Sequence, residues 1–332
     1  MKMKAVIGLI LMTLATFAPA RADTDHIVLA IPAELVQLLP LYIAEDDGLW
    51  QKAGLDVTIV TIPSVGGMNA VIAGSADFSF STGAAITRAA AHGQKLVAIV
   101  ELANESGQIV MLRKDLAEAG GFDPAAPLPV RAKLLKGRTI AIGGVGSIAD
   151  AFLKVVAREG GVAPTDIVTT PMQAAQFEAA FARRELDGFV FGAPYAQQAV
   201  HDGSGVVIAD GTKPIIPDLS PAAAGLLVTR PPYCSLRRAV CVKLGHSMVE
   251  AVNFLYDHPA ESIALLKKHF SAIDDQVLAA SYAAVKEITP RPPLPATRDI
   301  ADSELINIRA GFLKPEEQLK SYDDLFTTEF VK

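Results

Sequence analysis

A helix that drops through an aspartate into a short strand occurs twice in this chain. The first copy is Ala73-Gly74-Ser75-Ala76-Asp77 entering Phe78-Ser79-Phe80. The second is Arg183-Arg184-Glu185-Leu186-Asp187 entering Gly188-Phe189-Val190-Phe191. The segments ahead of each copy also correspond. Gly54-Leu55-Asp56 precedes a β-branched run, Val57 to Ile62, and Gly161 to Asp166 precedes Ile167 to Thr170; these strands run into Pro63 and Pro171. Helix–turn–strand units are the basic module of α/β layers, so the bare unit recurs in any α/β protein. The matched order of both pairs points to two similar α/β lobes with one ligand site between them. Ligands of such sheets collect beyond the carboxyl ends of the strands.

The length, 332 residues, suits two lobes of ordinary size, and 51% hydrophobic residues supply their cores. The first 22 residues read as a cleaved leader. Lys2 and Lys4 form a basic start, Ala5 to Ala18 is an apolar run, and Ala20-Arg21-Ala22 is a small-residue cleavage site before Asp23. The competing reading is a membrane anchor, for which the run is short. Losing Lys2, Lys4 and Arg21 lowers the 30 basic residues to 27 against 36 acidic ones, a net charge of −9. That balance argues against nucleic acid or an anionic membrane as the main partner.

Periodicity and capping residues predict the elements in order. A first strand covers His26 to Ile31, and a helix covers Leu39 to Asp46. Gly83 to His92 is an alanine-rich helix, followed by strands at Leu96 to Leu102 and Gln108 to Leu112. Residues 114–135 read as a connecting loop with one short helix. Thr139 to Ile142 is a strand, and Ser147 caps a helix running to Glu159. A helix covers Ala174 to Arg184, and another starts at Tyr195. Val206 to Ile208 and Leu226 to Thr229 complete the strands. From Arg237 the pattern is helical, and the tail from Pro315 is expected to pack loosely.

Gly144-x-Gly146-x-x-Ala149 follows a strand and opens a helix, as a dinucleotide fingerprint does. The acid that fingerprint needs is missing from the end of the next strand, where Thr169-Thr170-Pro171 stands instead. No cofactor is expected. The glycines can still offer backbone N–H groups at a helix start, beside Ser147, to a polar ligand group; a tight turn without a ligand is the alternative. Gly66-Gly67-Met68-Asn69 makes a similar start in the first lobe. Ser81-Thr82 ends a strand and caps a helix, a role that alone accounts for both hydroxyls. Tyr195, directly after Gly192-Ala193-Pro194, is open to either ligand contact or core packing. The six histidines are scattered, with no pair at zinc-ligand spacing, so no metal is expected.

Cys234 and Cys241 are the only cysteines. A continuous helix would hold them roughly 10 Å apart, at about 1.5 Å per residue, beyond bridging range. A disulfide therefore requires a helix to start between them, which Pro231 and Pro232 allow. Bridged and unbridged readings both stand.

The phrases PLYIAEDDGLWQKAGLDVTIV, AVIAGSADFSFS, LKGRTIAIGGVGS and ARRELDGFVFGAPYA, in that order, resemble the solute-binding proteins of nitrate/sulfonate/taurine-type ABC importers. That group also includes binders of thiamine-pyrimidine precursors. The resemblance runs from about Ile27 to Phe312. It implies a type II periplasmic-binding fold, two α/β lobes joined by two crossover strands around a ligand cleft. Lobe one would be residues 23–110 plus 228–332 and lobe two 111–227. It further implies a periplasmic monomer that captures a small molecule by hinge closure and delivers it to an inner-membrane ABC permease. The matched ligand positions are Glu34, Gln37 and Leu38; Gly66, Gly67 and Met68; Ser81 and Thr82; Asn104; Gly146 and Ser147; Pro194 and Tyr195. No arginine falls on them, so an anionic ligand would rely on backbone N–H groups, while Glu34 would favour an amine or hydroxyl. Aromatic sulfinate desulfinases look similar and use a cleft cysteine in the first lobe; this chain has none before Cys234. A ligand sensor docking on a membrane receptor is the third reading. No turnover is expected.

Overall fold

The computed structural model describes residues 24–63 and 65–332. The expected leader and its cleavage point lie outside the described residues. Among the described residues, ten strands form two five-stranded sheets. The first sheet takes β1 (Asp25–Ile31), β2 (Leu55–Thr61), β3 (Phe78–Ser81) and β4 (Val97–Ala103). The second takes β5 (Ile109–Arg113), β6 (Thr139–Ile142), β7 (Val168–Pro171), β8 (Gly188–Phe191) and β9 (Gly205–Asp210). The chain then returns, and β10 (Gly225–Thr229) enters the first sheet.

The sheets have the same plan. Their orders are β2-β1-β3-β10-β4 and β7-β6-β8-β5-β9. In each, three parallel strands are followed by one antiparallel strand in the fourth place. The aspartates of the sequence repeat do the same work in both. The Asp77 carboxylate accepts from the Val28 N–H at 2.9 Å, and the Asp77 N–H donates to the Val28 carbonyl at 2.9 Å. The Asp187 carboxylate accepts from the Thr139 N–H at 2.9 Å, and its own N–H donates to the Thr139 carbonyl at 2.9 Å. Each aspartate thereby ties the turn after a helix to the neighbouring parallel strand, at mid-β1 for Asp77 and at the first residue of β6 for Asp187. The repeat is a register device, since a one-residue slip would turn the buried face outward.

Ile109 and Val110 lie in the second sheet, and Gly225 to Leu227 in the first. The chain therefore changes sheet within 104–108 and 211–224, whereas the resemblance implies lobe boundaries at 110/111 and 227/228. Residues 114–135 hold two short helices, Lys114–Ala119 and Leu128–Ala132, and a 3-10 turn, Lys133–Leu135, rather than a loop with one helix. Helices of five and six residues span too few turns to leave a periodic signal. The tail also differs from the expectation. Leu325, Phe330 and Val331 are buried, Phe326 bridges to Ala98, and the Tyr322 hydroxyl donates to Glu304 at 2.6 Å. Its apolar residues are spaced among polar ones, which hides them from a composition reading.

The helix covering the cysteines is broken at Arg237, whose backbone (φ −126°, ψ 51°) separates Pro231–Leu236 from Arg238–Asp257. The break brings the two Cα atoms to 5.7 Å, and Cys234 and Cys241 are bridged. Trp50 packs in the first lobe's core, 1% exposed. The Asp275–Ile288 helix meets β4 of the first lobe and the Tyr195–His201 helix of the second, and a further helix also contacts both lobes. The Thr297–Ala310 helix packs on the Gly83–Ala91 helix of the first lobe and the Ile148–Glu159 helix of the second. Its Ile306 and Ala310 complete the second lobe's core, its Ile300 joins the first lobe's, and Arg309 pairs with Glu159 at 3.0 Å. Among the described residues no helix is long and apolar enough to cross a membrane.

Candidate functional site

The carboxyl ends of both sets of parallel strands face one cleft, which has two adjoining compartments of about 140 and 120 Å³. They share Pro32, Leu35, Gln37, Gln108, Ser147 and Ile148. The first compartment is mostly apolar, with Phe191, Met172, Val285 and Ile288 on its walls. The second is more polar, with Ser81, Thr82, Arg88, Ser106 and Asn307. Among the described residues lining either compartment, Arg88 is the one charged side chain.

Helix starts converge there for a reason written in the caps. Thr82 Oγ1 accepts from the Ala85 N–H at 3.1 Å, and Ser147 Oγ accepts from the Asp150 N–H at 3.3 Å. An oxygen used as a cap acceptor leaves its own O–H as a donor, so both hydroxyls can serve a ligand as well. The first-turn N–H groups of Ala84, Ile148 and Ala149 have no hydrogen-bond partner among the described residues. Helix starts carry the positive end of the peptide dipoles and suit an anion.

Gly146 itself is committed within the protein. Its φ is +74°, its N–H donates to Asp150 Oδ2 at 2.8 Å, and its carbonyl accepts from Arg88 Nη2 at 2.9 Å. The N–H of Ser147 goes to the Gly144 carbonyl. The glycine loop therefore shapes the helix start, and the free donors lie one and two residues further on, at Ile148 and Ala149. Arg88 also lies over the Phe312 ring, 5.2 Å from its centre. Burial draws its guanidinium below the ordinary value, and the Asp150 carboxylate opposes that. Arg88 makes no other side-chain hydrogen bond among the described residues, so part of its donor fork faces the cleft.

The structure brings Gln37, Met68, Ser81, Thr82, Gly146 and Ser147 together on the cleft walls. It places the other predicted ligand residues elsewhere. Glu34 is exposed and lines neither compartment, so it does not favour an amine there. Leu38 is fully buried in the first lobe's core. Gly66 and Gly67 open the Gly66–Ala73 helix behind the wall, and a Cβ on Gly67 would come within 2.7 Å of Ser79 Oγ. Asn104 serves the crossover: its N–H donates to Ile288 and its carbonyl accepts from Ala222. Pro194 is buried as the cap of the Tyr195–His201 helix. Tyr195 packs edge-on against Phe177 and Phe191, and burial, then Glu178 and Glu34, push its hydroxyl up to about 12. Phe191, stacked on Phe177 at 4.1 Å, is the aromatic that reaches the cleft.

Arg88 and Asn307 were not singled out from the sequence. Arg88 falls in the last turn of the Gly83–Ala91 helix, where a basic residue reads as part of a solvated face. Its signal was the Thr82 cap, which fixes the helix start and places position 88 six residues inside. Asn307 enters from a helix more than 200 residues away. No group of histidines, cysteines or carboxylates able to hold a metal occurs among the described residues.

This pair of lobes with a cleft at the strand ends is the periplasmic-binding-protein fold. Among solved structures, a protein of Bordetella bronchiseptica RB50 aligns over 93% of this chain and 96% of its own, with TM-score 0.81 and 20% identity. The alkanesulfonate-binding protein SsuA of Xanthomonas axonopodis pv. citri, bound to MOPS, aligns over 92% and 100% (TM-score 0.70, 19% identity). The periplasmic nitrate-binding protein NrtA of Synechocystis PCC 6803 aligns over 92% and 86% (TM-score 0.72, 17% identity). No curated protein matches the sequence. Residues 33–267 match the NMT1-like family model, and the chain belongs to that family.

Proposed function

We propose that the protein is the solute-binding component of an ABC importer, that it works in the periplasm as a monomer, and that it passes a small organic anion to a membrane permease. The observation that carries this is the cleft itself, with apolar walls, converging helix starts and Arg88 as its one charged lining side chain among the described residues. An anion needs such donors, and a mostly apolar pocket suits a ligand with carbon attached to it. The alkanesulfonate- and nitrate-binding proteins that share the fold support capture of an anion. No cysteine, histidine or carboxylate lines the cleft among the described residues, which supports capture over turnover. Closure of the two lobes on the ligand would complete the site.

The test is a thermal-shift screen of the protein lacking residues 1–22. The panel holds alkanesulfonates, taurine, nitrate, aliphatic and aromatic carboxylates, pyrimidines and riboflavin. A ligand at 100 times its Kd adds about 2.7 kcal/mol of stability. The reading requires organic anions to give the largest shifts. Shifts confined to cations or neutral rings, or conversion of a ligand to product, would overturn it.

A further inference from the structure

This inference rests on the capture reading and narrows the ligand. Asn307 is fully buried, yet lines the second compartment. Its Nδ2 donates to the Ala84 carbonyl at 2.6 Å and to Thr87 Oγ1 at 3.2 Å. The Ala84 carbonyl can only accept, which fixes the amide with nitrogen on that side. Its Oδ1 then points away from those partners and has none among the described residues. A buried carbonyl oxygen without a donor is costly, and such atoms are rare in folded proteins.

Asn307 is anchored at Ala84, one helical turn before Arg88, and both side chains line the second compartment. Gln37, between the compartments, adds a second unpaired amide: its buried Nε2 has no partner among the described residues. A charged donor has no counter-ion here, because no carboxylate is among the described lining residues.

We infer that the cleft selects an organic monoanion that carries a neutral hydrogen-bond donor, a hydroxyl or amide N–H, beside its anionic group. Arg88 and the helix starts take the anion. Asn307 Oδ1 takes the neighbouring donor and sets the specificity. The apolar body lies along Ile148 and Phe191. A zwitterion is disfavoured, since its ammonium would be enclosed without a negative partner.

The experiment compares three six-carbon acids by calorimetry on the protein lacking residues 1–22: hexanoate, the two enantiomers of 2-hydroxyhexanoate, and 2-aminohexanoate. The expected order is one 2-hydroxyhexanoate enantiomer about tenfold tighter than hexanoate, with 2-aminohexanoate weakest. In Asn307→Ala the hydroxyl preference should fall to about unity while hexanoate changes little. The ratio on the unaltered protein decides the matter even if that variant folds poorly. Equal binding of hexanoate and both hydroxy acids overturns the inference and leaves anion capture standing. Tightest binding by the amino acid overturns it, as does failure of all three to bind; the broader panel then judges capture separately.

Discussion

Arg88 Nη2 donates to the Gly146 carbonyl at 2.9 Å, across 58 residues of sequence and from one lobe to the other. The bond holds a charged group of the first lobe against the glycine loop of the second. One guanidinium thus joins the two lobes while also lining the cleft.

Arg88→Met should weaken anion binding by roughly 10- to 100-fold, the worth of a hydrogen bond to a charged group. Arg88→Lys keeps the charge without the fork and should fall between. Calorimetry with the tightest anion of the screen measures both. Unchanged affinity in Arg88→Met would remove this residue from the site.

Gly146 distinguishes shape from charge. At φ +74° any side chain is strained, by roughly 1–2 kcal/mol. A Cβ there would stand 3.8 Å from both terminal nitrogens of Arg88. Gly146→Ala should lower the melting temperature and weaken binding only a few-fold. Gly146→Asp adds a carboxylate beside the guanidinium and should abolish anion binding. Equal affinities for the two variants would show that the charge is immaterial.

Glu101 predicts a pH dependence. It is fully buried in β4, and burial, then the charge of Asp299, raise its carboxyl to about 9. The unfolded chain ionises it near 4.5. Between these values the folded form keeps a proton that the unfolded form has lost. Its contribution to stability is complete below about pH 4.5 and is lost as pH rises toward 9, at roughly 1 kcal/mol per pH unit. Glu101→Gln should therefore melt above the unaltered protein at pH 8, with the gap closing toward pH 4.5. A gap independent of pH would mean that Glu101 is ionised in the fold.

The C-terminal tail is predicted to be structural. Phe330 is 1% exposed within the first lobe's core. Phe330→Ala should cost about 3 kcal/mol in denaturant unfolding. A loss below ~0.5 kcal/mol would restore the loose tail expected from composition.

The layered fold was legible because local chemistry marks it. Ser147 and Thr82 cap the helices they were expected to cap, and strands Thr139–Ile142 and Gly188–Phe191 have the predicted bounds. The cleft was legible only in part. Glu34 and Leu38 both follow the first strand, but Glu34 stays exposed ahead of the Val36–Leu38 3-10 turn while Leu38, within it, enters the core. Tyr195 lost its place to Phe191 through an aromatic stack with Phe177, which is not local in sequence. Arg88 and Asn307 acquire their setting only when distant helices pack.

The place of β10 has a consequence for assembly. It lies between β3 and β4, so the first sheet lacks an interior member until residues 225–229 exist. The second sheet needs only residues 109–210, one unbroken stretch. A chain emerging from its amino end thus carries an incomplete leading half, while its middle is the first part able to close a sheet. Pulsed hydrogen exchange during refolding should find β6 amides protected before those of β3; the reverse order would mean that β1 to β4 hold together without their inserted strand.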